Sequence, residues 1–374
     1  MGRPKLKIAV LTSSRAEFGI YLPLLKALKE DNGIIVDVIA FGTHISPFYG
    51  YTLNEILEYH FNEVYTLNTV LANDDPNAIA TSYALTSSKF ADFWKEHIYD
   101  LVFCLGDRYE MNAAVLSGIP YGVKFAHIHG GETTLGAMDN IYRHQITLAS
   151  HLHFTASENF KNRVIEIIAS TKNVYNVGAL SIDNIFDLDL PSENEFRVKY
   201  SLNAEFALVT FHPETLDFEH NYNFAQQMYL ALKNIAEDIF IVITMPNADT
   251  MGSIYREKIE TLKEEYPCRV MVIENFGKIN YFAAMKYAKF LLGNTSSGII
   301  EAASFHKYVI NVGNRQKGRL QSTNVINVSF DTVEICEAFS AIMQKGSFAG
   351  ENVYYKPHVA ANILRIIKSK YGLL

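Results

Sequence analysis

The residues best suited to acid/base or metal chemistry are concentrated in residues 127–153, which read HIHGGETTLGAMDNIYRHQITLASHLH. This stretch holds five of the twelve histidines of the chain, together with Glu132 and Asp139. His127 and His129 are spaced like residues on one face of a strand, and such a pair can bind a metal ion. A metal site needs further ligands, which the pattern does not supply. We therefore expect no metal, and expect these histidines to be hydrogen bonded or to contact a substrate.

Acidic residues follow two apolar segments. One of these segments precedes the stretch 127–153, and the other runs into it. Asp107 in LGDRYE and Glu132 in GGE each follow an apolar segment and have a glycine nearby, so the backbone can approach a ligand. Asp139 precedes NIYRHQI, where it can also cap a helix. Two or three carboxylates that converge on one site indicate general acid/base catalysis.

Length and composition exclude several classes of protein. A chain of 374 residues exceeds what one hydrophobic core usually serves, so we expect two domains. The net charge of -7 predicts no attraction to nucleic acid or to an anionic membrane, and no apolar segment reaches the roughly 18 residues of a membrane span. Cys104, Cys268 and Cys336 show no CxxC spacing, which favours a reducing compartment. We expect a cytoplasmic protein.

Short apolar segments alternate with amphipathic segments, such as those at 16–31 and 86–100, along the whole chain. Uniformly apolar strands are typical of parallel sheets that helices cover on both faces. The pattern predicts an α/β fold with two Rossmann-like, doubly wound domains that face each other across a cleft. The predicted strands are 7–13, 36–42, 101–106, 124–129 and 152–157, and then 206–212, 239–246, 269–276, 290–294 and 308–313.

The same pattern predicts where the domains begin and end. Residues 1–180 form an N-terminal Rossmann-like domain that carries the carboxylates, and residues 181–357 form a C-terminal nucleotide-binding domain. The polar stretch 180–203 is predicted to be an irregular joint. Residues 358–374 are predicted to form a helix that can pack back on the N-terminal domain.

Two features indicate a phosphate-containing ligand. In GNTSSGIIEAASF a helix is predicted to begin at Ser296, and its free N–H groups can bind an anion, although an ordinary capped helix has the same appearance. Arg15 and Arg315 follow predicted strands, where an arginine can bind a diphosphate. Neither GxGxxG nor GxxxxGK[ST] occurs, so a dinucleotide fold of the usual type and a P-loop are not expected.

Six motifs, in order, resemble those of the UDP-N-acetylglucosamine 2-epimerases: SSRAEFG, GDRYE, HIHGGE…MDNIYRH, FHPET, GNTSSGIIEAASF and VGNRQKGR. The resemblance spans roughly residues 8 to 320 and is to the hydrolysing branch, which makes N-acetylmannosamine for sialic acid synthesis. It implies two Rossmann-like domains in the arrangement of many nucleotide-sugar glycosyltransferases (GT-B-like), with UDP-N-acetylglucosamine as substrate. We also expect a homodimer or homotetramer.

The resemblance further implies the chemistry. Family members are understood to expel UDP from C1 while a base removes the C2 proton, which gives 2-acetamidoglucal. Water then adds with the opposite configuration at C2. This reaction needs carboxylates and cationic groups but no cofactor and no metal.

The resemblance also assigns roles to residues. Asp107 and Asp139 match the acidic pair around the sugar and His212 matches a histidine near the diphosphate, and Glu132 and His129 complete the catalytic candidates. The nucleotide-binding matches are Arg15, Asn247, Thr295, Ser296, Glu301 and Arg315. We add as substrate-binding candidates Gly19, His44, Arg108, Arg143, Asn294 and Ser297.

One departure from the family pattern affects the expected mechanism. Many relatives read HIEGGE with the first glutamate catalytic, whereas this chain has His129 there. Either His129 takes over that role, or Glu132 moves into it. The histidine form also looks like the branch that acts on UDP- or GDP-2,4-diacetamido-2,4,6-trideoxyglucose in legionaminic acid synthesis.

Three functions remain open at this point. The first is a hydrolysing 2-epimerase acting on either sugar. The second is a glycosyltransferase of the same fold, which needs an acceptor groove. The third is a nucleotide-sugar sensor without turnover. Incubation with UDP-N-acetylglucosamine alone distinguishes them.

Overall fold

A computed structural model of the chain describes residues 5–71, 73, 75–133, 135, 138–183, 185–186, 188–214, 217–246 and 251–373. The chain divides into two compact units. Unit 1 contains Met1–Glu132, Asp139–Asn184 and Tyr354–Leu374. Unit 2 contains Thr133–Met138 and Ile185–Val353.

Unit 1 contains, in the part of the chain that the structure describes, a parallel sheet of seven strands. They are β1 Leu6–Thr12, β2 Ile34–Phe41, β3 Glu63–Leu67, β4 Leu101–Leu105, β5 Phe125–Ile128, β6 Leu152–Thr155 and β7 Val174–Asn176. Their order is β3-β2-β1-β4-β5-β6-β7. The order reverses between β1 and β4, and ligands of such sheets bind beyond the carboxyl ends of the strands at this switch point.

Unit 2 contains a second parallel sheet, with six strands among the described residues. They are β8 Phe206–Thr210, β9 Phe240–Thr244, β10 Val270–Ile273, β11 Leu291–Gly293, β12 Val309–Val312 and β13 Val325–Val328. The order is β10-β9-β8-β11-β12-β13, so its switch point lies between β8 and β11. The predicted α/β class with two doubly wound parallel sheets is therefore confirmed.

Helices separate the strands in both units, except between β12 and β13, where residues 313–324 form turns. The helices are α1 Arg15–Glu30, α2 Leu53–Leu57, α3 Pro76–Glu96, α4 Tyr109–Gly118, α5 Asp139–Ala149, α6 Glu158–Ile168, α7 Glu193–Lys199, α8 Asn221–Asp238, α9 Gly252–Glu265, α10 Gly277–Tyr287, α11 Ser296–Ile300, α12 Thr332–Met343 and α13 Val359–Lys370. No helix of the described residues is long and apolar enough to cross a membrane.

The C-terminal helix α13 belongs to unit 1 and is anchored there at both ends. Its Ile363 and Ile367 are buried in the same apolar cluster as residues of α1. Asp183 lies ahead of the crossover to unit 2, and its carboxylate accepts the N–H groups of Val359 at 2.9 Å and Ala360 at 2.8 Å. These bonds satisfy amides that the first turn of a helix leaves without a partner.

One expectation about secondary structure is wrong, and a second is right about the helix but not about its bounds. The stretch 180–203 is not irregular throughout, because α7 lies within it. Ser192 and Glu195 form a capping box there, in which the Glu195 carboxylate accepts the Ser192 N–H at 2.8 Å and Ser192 Oγ accepts the Glu195 N–H at 3.3 Å. The helix expected at 86–100 starts earlier, at Pro76 behind its cap Asp75, and ends at Glu96.

Candidate active site

Four predicted site residues of unit 1 come together beyond the carboxyl ends of β4 and β5. We call Asp107, His129, Glu132 and Arg143 the acid/base cluster. Asp107 follows β4, His129 and Glu132 follow β5, and Arg143 lies on α5, the helix after β5. Residues far apart in the chain meet here because parallel strands end at one edge of the sheet.

His129 and Glu132 form a carboxylate–imidazole pair. Nδ1 of His129 lies 2.6 Å from Oε1 of Glu132, and both residues are buried. A carboxylate accepts hydrogen bonds, so Nδ1 carries the hydrogen and donates it. Nε2 of His129 is buried and has no hydrogen-bond partner in the part of the chain that the structure describes. The pair therefore leaves one ring nitrogen for proton transfer, as in sites where a carboxylate orients a histidine base.

The backbone that presents this pair requires unusual conformations. His129 has a φ of 65°, in the left-handed region, which side chains other than glycine seldom adopt. Gly131 has a φ of +79°, and a Cβ there would lie 2.3 Å from the carbonyl oxygen of Phe160. The glycines of HIHGGE thus serve a tight turn against α6, and they bring Glu132 back to His129. Such strain is common at functional sites.

Arg143 forms ion pairs with both carboxylates of the cluster. Its guanidinium donates to Asp107 and to the His129 carbonyl at 3.2 Å, and lies 3.2 Å from Oε2 of Glu132. Burial lowers the pKa of Arg143, but the charges of Asp107, Glu132 and Asp139 outweigh it and raise that pKa above its usual value. Arg143 is buried and holds the carboxylates in place, and its contact with a substrate stays a prediction.

The remaining residues of the opening motif support the cluster. Asp139 is the first residue of α5, near enough to Arg143 to raise its pKa. His127 is buried; its Nε2 donates to the Gly106 carbonyl at 2.9 Å, and its Nδ1 lies 3.1 Å from Oγ1 of Thr147. Burial lowers the pKa of His127 to about 3, so its ring is neutral. His127 thus holds the backbone next to Asp107 through Nε2 and contacts α5 through Nδ1.

The loops at the β1/β4 switch point carry two predicted arginines, each paired with a carboxylate. Nε of Arg15 lies 3.2 Å from Glu55 of α2, and both side chains are partly exposed. Arg108 donates to both oxygens of Glu110, at 3.2 and 2.8 Å, and Glu110 is fully buried. An exposed pair such as Arg15–Glu55 is weak and leaves the arginine available for a phosphate. Arg108 is held more firmly, because its partner is buried.

Two other predicted substrate-binding residues of unit 1 are less accessible. His44 is fully buried, with Nε2 2.9 Å from Oγ1 of Thr12 and Nδ1 2.7 Å from Oγ1 of Thr52. Burial lowers the pKa of His44 to about 4. Contact between His44 and a substrate requires one of these bonds to break. Gly19 lies within α1 and is half-buried.

Glu17 belongs to the quoted motif SSRAEFG, but the sequence pattern does not single it out. Its Oε2 accepts the Ser13 N–H at 2.6 Å and the Ser13 hydroxyl at 2.9 Å. Its buried Oε1 has no hydrogen-bond partner among the described residues. Burial raises the pKa of Glu17 to about 7, although the charge of Arg108 and the Ser13 amide act against this. Glu17 is thus a buried carboxyl group that titrates near neutral pH at the switch point.

We expect Glu17→Gln to remove a pH dependence of stability. The pKa of Glu17 rises from 4.5 to about 7 on folding, so the folded wild type binds more protons and loses stability as pH rises through this window. A glutamine accepts the same Ser13 hydrogen bonds and does not titrate. From pH 5 to pH 8, the free energy of unfolding of the variant should therefore rise by about 2 kcal/mol relative to that of the wild type. Denaturant titrations measure this, and a difference independent of pH would contradict it.

In unit 2, the predicted residues His212 and Asn294 bind each other at the β8/β11 switch point. The side-chain oxygen of Asn294 accepts the His212 N–H at 2.7 Å, and its amide donates to the His212 carbonyl at 2.8 Å. The Gln316 side chain donates to the Asn294 carbonyl at 2.8 Å. Asn294 is fully buried and holds the backbone of His212, and its contact with a substrate stays a prediction.

The segment expected to bind phosphate forms a shorter helix than its pattern suggests. Thr295 caps α11 by accepting the Ser297 N–H at 3.4 Å, and the helix ends at Ile300. A helix of five residues has a small dipole, so single N–H groups and side chains matter more than the helix as a whole. Ser296 is half-buried, and Glu301 is buried directly after the helix. Asn247, another predicted nucleotide-binding residue, lies outside the described residues.

Arg315 follows β12 and is half-buried. Its Nη1 donates to the carbonyl of Pro213 at 2.8 Å. Glu214, the next residue after Pro213, is buried and contacts the loop of Arg315. Glu214 stands in the quoted motif FHPET, yet its role depends on a loop about 100 residues away, which a sequence pattern does not reveal.

Comparisons with known proteins agree with this arrangement. A family model described as UDP-N-acetylglucosamine 2-epimerase matches residues 26–368. The chain is 35% identical over 374 residues to the "Polysialic acid biosynthesis protein P7" of Escherichia coli, covering 97% of this chain and 93% of that one. It is 32% identical over 343 residues to the "GDP/UDP-N,N'-diacetylbacillosamine 2-epimerase (hydrolyzing)" of Campylobacter jejuni, covering 91% and 88%.

A solved structure shows the same fold. It is the UDP-GlcNAc 2-epimerase from Neisseria meningitidis bound to UDP-GlcNAc. The TM-score is 0.80 at 19% identity, and the match covers 97% of this chain and 100% of that one. At this identity, the likeness establishes the fold alone.

Proposed function

The chain belongs to the UDP-N-acetylglucosamine 2-epimerase family, and we propose that it is a hydrolysing 2-epimerase, which converts UDP-N-acetylglucosamine and water to UDP and N-acetylmannosamine. The Campylobacter jejuni relative, named as a hydrolyzing 2-epimerase, supports the hydrolytic outcome. The Escherichia coli relative, named for polysialic acid biosynthesis, supports a product used for sialic acid.

The proposed reaction has two halves. In the first, a base removes the C2 proton, the C1–O bond breaks with its electron pair leaving on UDP, and a C1=C2 double bond forms. In the second, a proton adds to C2 from the opposite face, and the oxygen of water bonds to C1 while the water loses a proton. The sum is one water consumed, with UDP released and C2 inverted.

The acid/base cluster is the observation that carries this proposal. Asp107 is 23% exposed at its side chain, whereas Glu132 and Arg143 behind it are 2% exposed. We assign the removal of the C2 proton to Asp107, since it is the accessible carboxylate and Arg143 fixes its position. In the His129–Glu132 pair, Nε2 is the ring nitrogen without a hydrogen-bond partner among the described residues, and we assign to it proton transfer in the second half. His129 thereby takes the role that a glutamate has in many relatives.

Cationic groups are needed where negative charge develops on the departing diphosphate. In unit 2 we assign this role to Arg315, which follows β12, and we assign His212, which follows β8, as a hydrogen-bond donor to the diphosphate. In unit 1 we assign the cationic role to Arg15, whose pair with Glu55 is solvent exposed and can exchange for a phosphate. Ser296, Ser297 and Glu301 remain our candidates for contacts to the nucleotide.

The second candidate is the same reaction on a 2,4-diacetamido-2,4,6-trideoxyglucose nucleotide. Two observations favour it, namely the histidine at position 129 and the Campylobacter jejuni relative, named for a diacetylbacillosamine nucleotide. The chemistry at C1 and C2 is unchanged, so the same cluster serves both sugars. Only groups that face C4 and C6 of the sugar distinguish them.

Product analysis tests the proposal. Purified protein is incubated with UDP-N-acetylglucosamine, or with its UDP- and GDP-linked diacetamido analogues, without any acceptor, and products are identified by NMR. UDP with N-acetylmannosamine is the expected result. Turnover of a diacetamido analogue alone assigns the second candidate. Turnover that requires an acceptor indicates a glycosyltransferase, and nucleotide binding without products indicates a sensor; both would overturn the proposal.

A further inference from the structure

Glu214 makes an unusual contact between two loops of unit 2. It lies in the loop after β8 and is 3% exposed. Its Oε1 accepts the backbone N–H of Asn314 at 2.5 Å, and the carboxylate also accepts the backbone N–H of Arg315. Successive backbone N–H groups of this kind form a concave nest that binds anions. A protein carboxylate, Glu214, occupies the nest after β12.

The loop after β12 is shaped for this carboxylate. Gly313 has a φ of +76°, which favours glycine. A Cβ at Gly313 would lie 2.3 Å from Oε1 of Glu214. The motif VGNR therefore needs its glycine both for its backbone angle and for the approach of the Glu214 side chain. The contact between the two loops therefore depends on a residue of each loop, Gly313 and Glu214.

The backbone of Glu214 is hydrogen bonded to a side chain of α8. The Asn221 side chain accepts the Glu214 N–H at 3.0 Å and donates to the Glu214 carbonyl at 2.9 Å. The hydroxyl of Tyr255 donates to the same Asn221 oxygen at 3.2 Å. These bonds fix the Glu214 backbone on α8, a helix of 18 residues. Hydrogen bonds thus connect α8, through Glu214, to the loop of Arg315.

Arg315 is held at two points, both by the loop after β8. Its backbone N–H donates to Glu214, and its Nη1 donates to the carbonyl of Pro213 at 2.8 Å. The adjacent His212 is fixed by Asn294. Arg315 and His212, the diphosphate-binding candidates of unit 2, are therefore held by one hydrogen-bonded frame, and Glu214 is the acidic residue in it.

We propose that Glu214 is a positioning residue for nucleotide binding, which fixes the Arg315 backbone so that its guanidinium is presented to a nucleoside diphosphate. This inference rests on the proposed function, because it takes a nucleoside diphosphate as the ligand of Arg315. The nest is already filled by the Glu214 carboxylate. The diphosphate must then be bound by the Arg315 side chain rather than by the backbone amides of this loop.

Glu214→Gln tests the proposal. Glutamine keeps one acceptor but replaces charge-assisted bonds with weaker neutral ones. We expect UDP affinity, measured by calorimetry, to fall about tenfold, and KM to rise by a similar factor while kcat changes by less than about threefold. Glu195→Gln is the matched control, since the Glu195 carboxylate accepts a loop N–H from Ser192 at 2.8 Å in a capping box. That variant should bind UDP like the wild type.

A double-mutant cycle separates positioning from general loosening of the fold. If Glu214 acts through Arg315, then Glu214→Gln should have little further effect on UDP affinity in an Arg315→Ala protein. Additive losses would contradict the proposal, because they would mean that Glu214 acts on other groups. Thermal unfolding of each variant identifies any that fails to fold. In that case Glu214→Asp, which keeps the charge on a shorter side chain, replaces Glu214→Gln with the same expectations.

The outcomes distinguish this inference from the proposed function. If the wild type does not bind UDP, the proposed function fails. If the wild type binds UDP and folded Glu214→Gln binds it equally well, the proposed function stands and the inference about Glu214 is wrong.

Discussion

Asp107→Asn is expected to lower kcat by at least about 10²-fold, while UDP affinity stays within a few fold of the wild type. Asparagine has nearly the shape of aspartate and can still accept a hydrogen bond from Arg143, but it cannot take the C2 proton. The loss therefore falls on the chemical step rather than on binding. Steady-state kinetics on UDP-N-acetylglucosamine and calorimetry with UDP measure the two quantities.

Asp331→Asn is the matched control for this substitution. The Asp331 carboxylate caps α12 by accepting N–H groups of Val333 and Glu334, and asparagine is an equally good cap. Its kinetics should equal those of the wild type. If Asp107→Asn retains near wild-type kcat, then Asp107 serves only to neutralise Arg143 and the base lies elsewhere.

His129→Asn is expected to separate the two halves of the reaction. Asparagine tolerates the left-handed backbone that His129 adopts, but it cannot exchange a proton. The first half needs Asp107 and should persist, whereas addition of water to the double bond should slow by about 10²-fold. UDP release should then be accompanied by free 2-acetamidoglucal, which the NMR signal of the alkene proton on C1 reveals. His129→Glu should restore part of the flux, because it returns the family's residue.

The control is His151→Asn, since His151 is an exposed histidine in the turn before β6. It should form N-acetylmannosamine at the wild-type rate without free glucal. Equal slowing of UDP release and of N-acetylmannosamine formation in His129→Asn would deny His129 a separate role in the second half. The His129–Glu132 pair would then be structural.

The sequence predicts the centre of each sheet better than its edges. Strands such as β1 and β4 are buried on both faces and read as continuous apolar segments, which identified them. The strands β3, β7 and β13 were not predicted. Each lies at the edge of its sheet and is partly exposed, as in Glu63–Leu67, which reads EVYTL. An edge strand needs apolar residues on fewer sides, so its pattern is mixed.

Local signals in polar stretches are also easily overlooked. The α7 helix has the capping-box spacing SENE at its start, yet its polar composition suggested an irregular joint. Most of this helix faces solvent, and only Phe196 is fully buried. One buried apolar residue produces no helical periodicity in the sequence. The capping box is therefore the only feature of the sequence that indicates this helix.

For the site, the sequence indicates which residues can do chemistry but not which are engaged by other protein groups. Arg143 and Asn294 were expected to contact substrate, whereas the structure buries both and binds them to other site residues. Glu17 and Glu214 lie in quoted motifs, but only the fold reveals their burial and partners. Such contacts join segments distant in sequence, and a pattern within one segment carries no information about them.

The isotopic composition of the product tests the central claim, elimination followed by addition of water, most directly. In deuterium oxide, the N-acetylmannosamine formed should carry one deuterium at C2. In ¹⁸O-labelled water the label should enter the sugar at C1 and be absent from the released UDP, with unlabelled N-acetylmannosamine in the same water as the control for exchange. A product that retains protium at C2, or label found in UDP, would contradict the account.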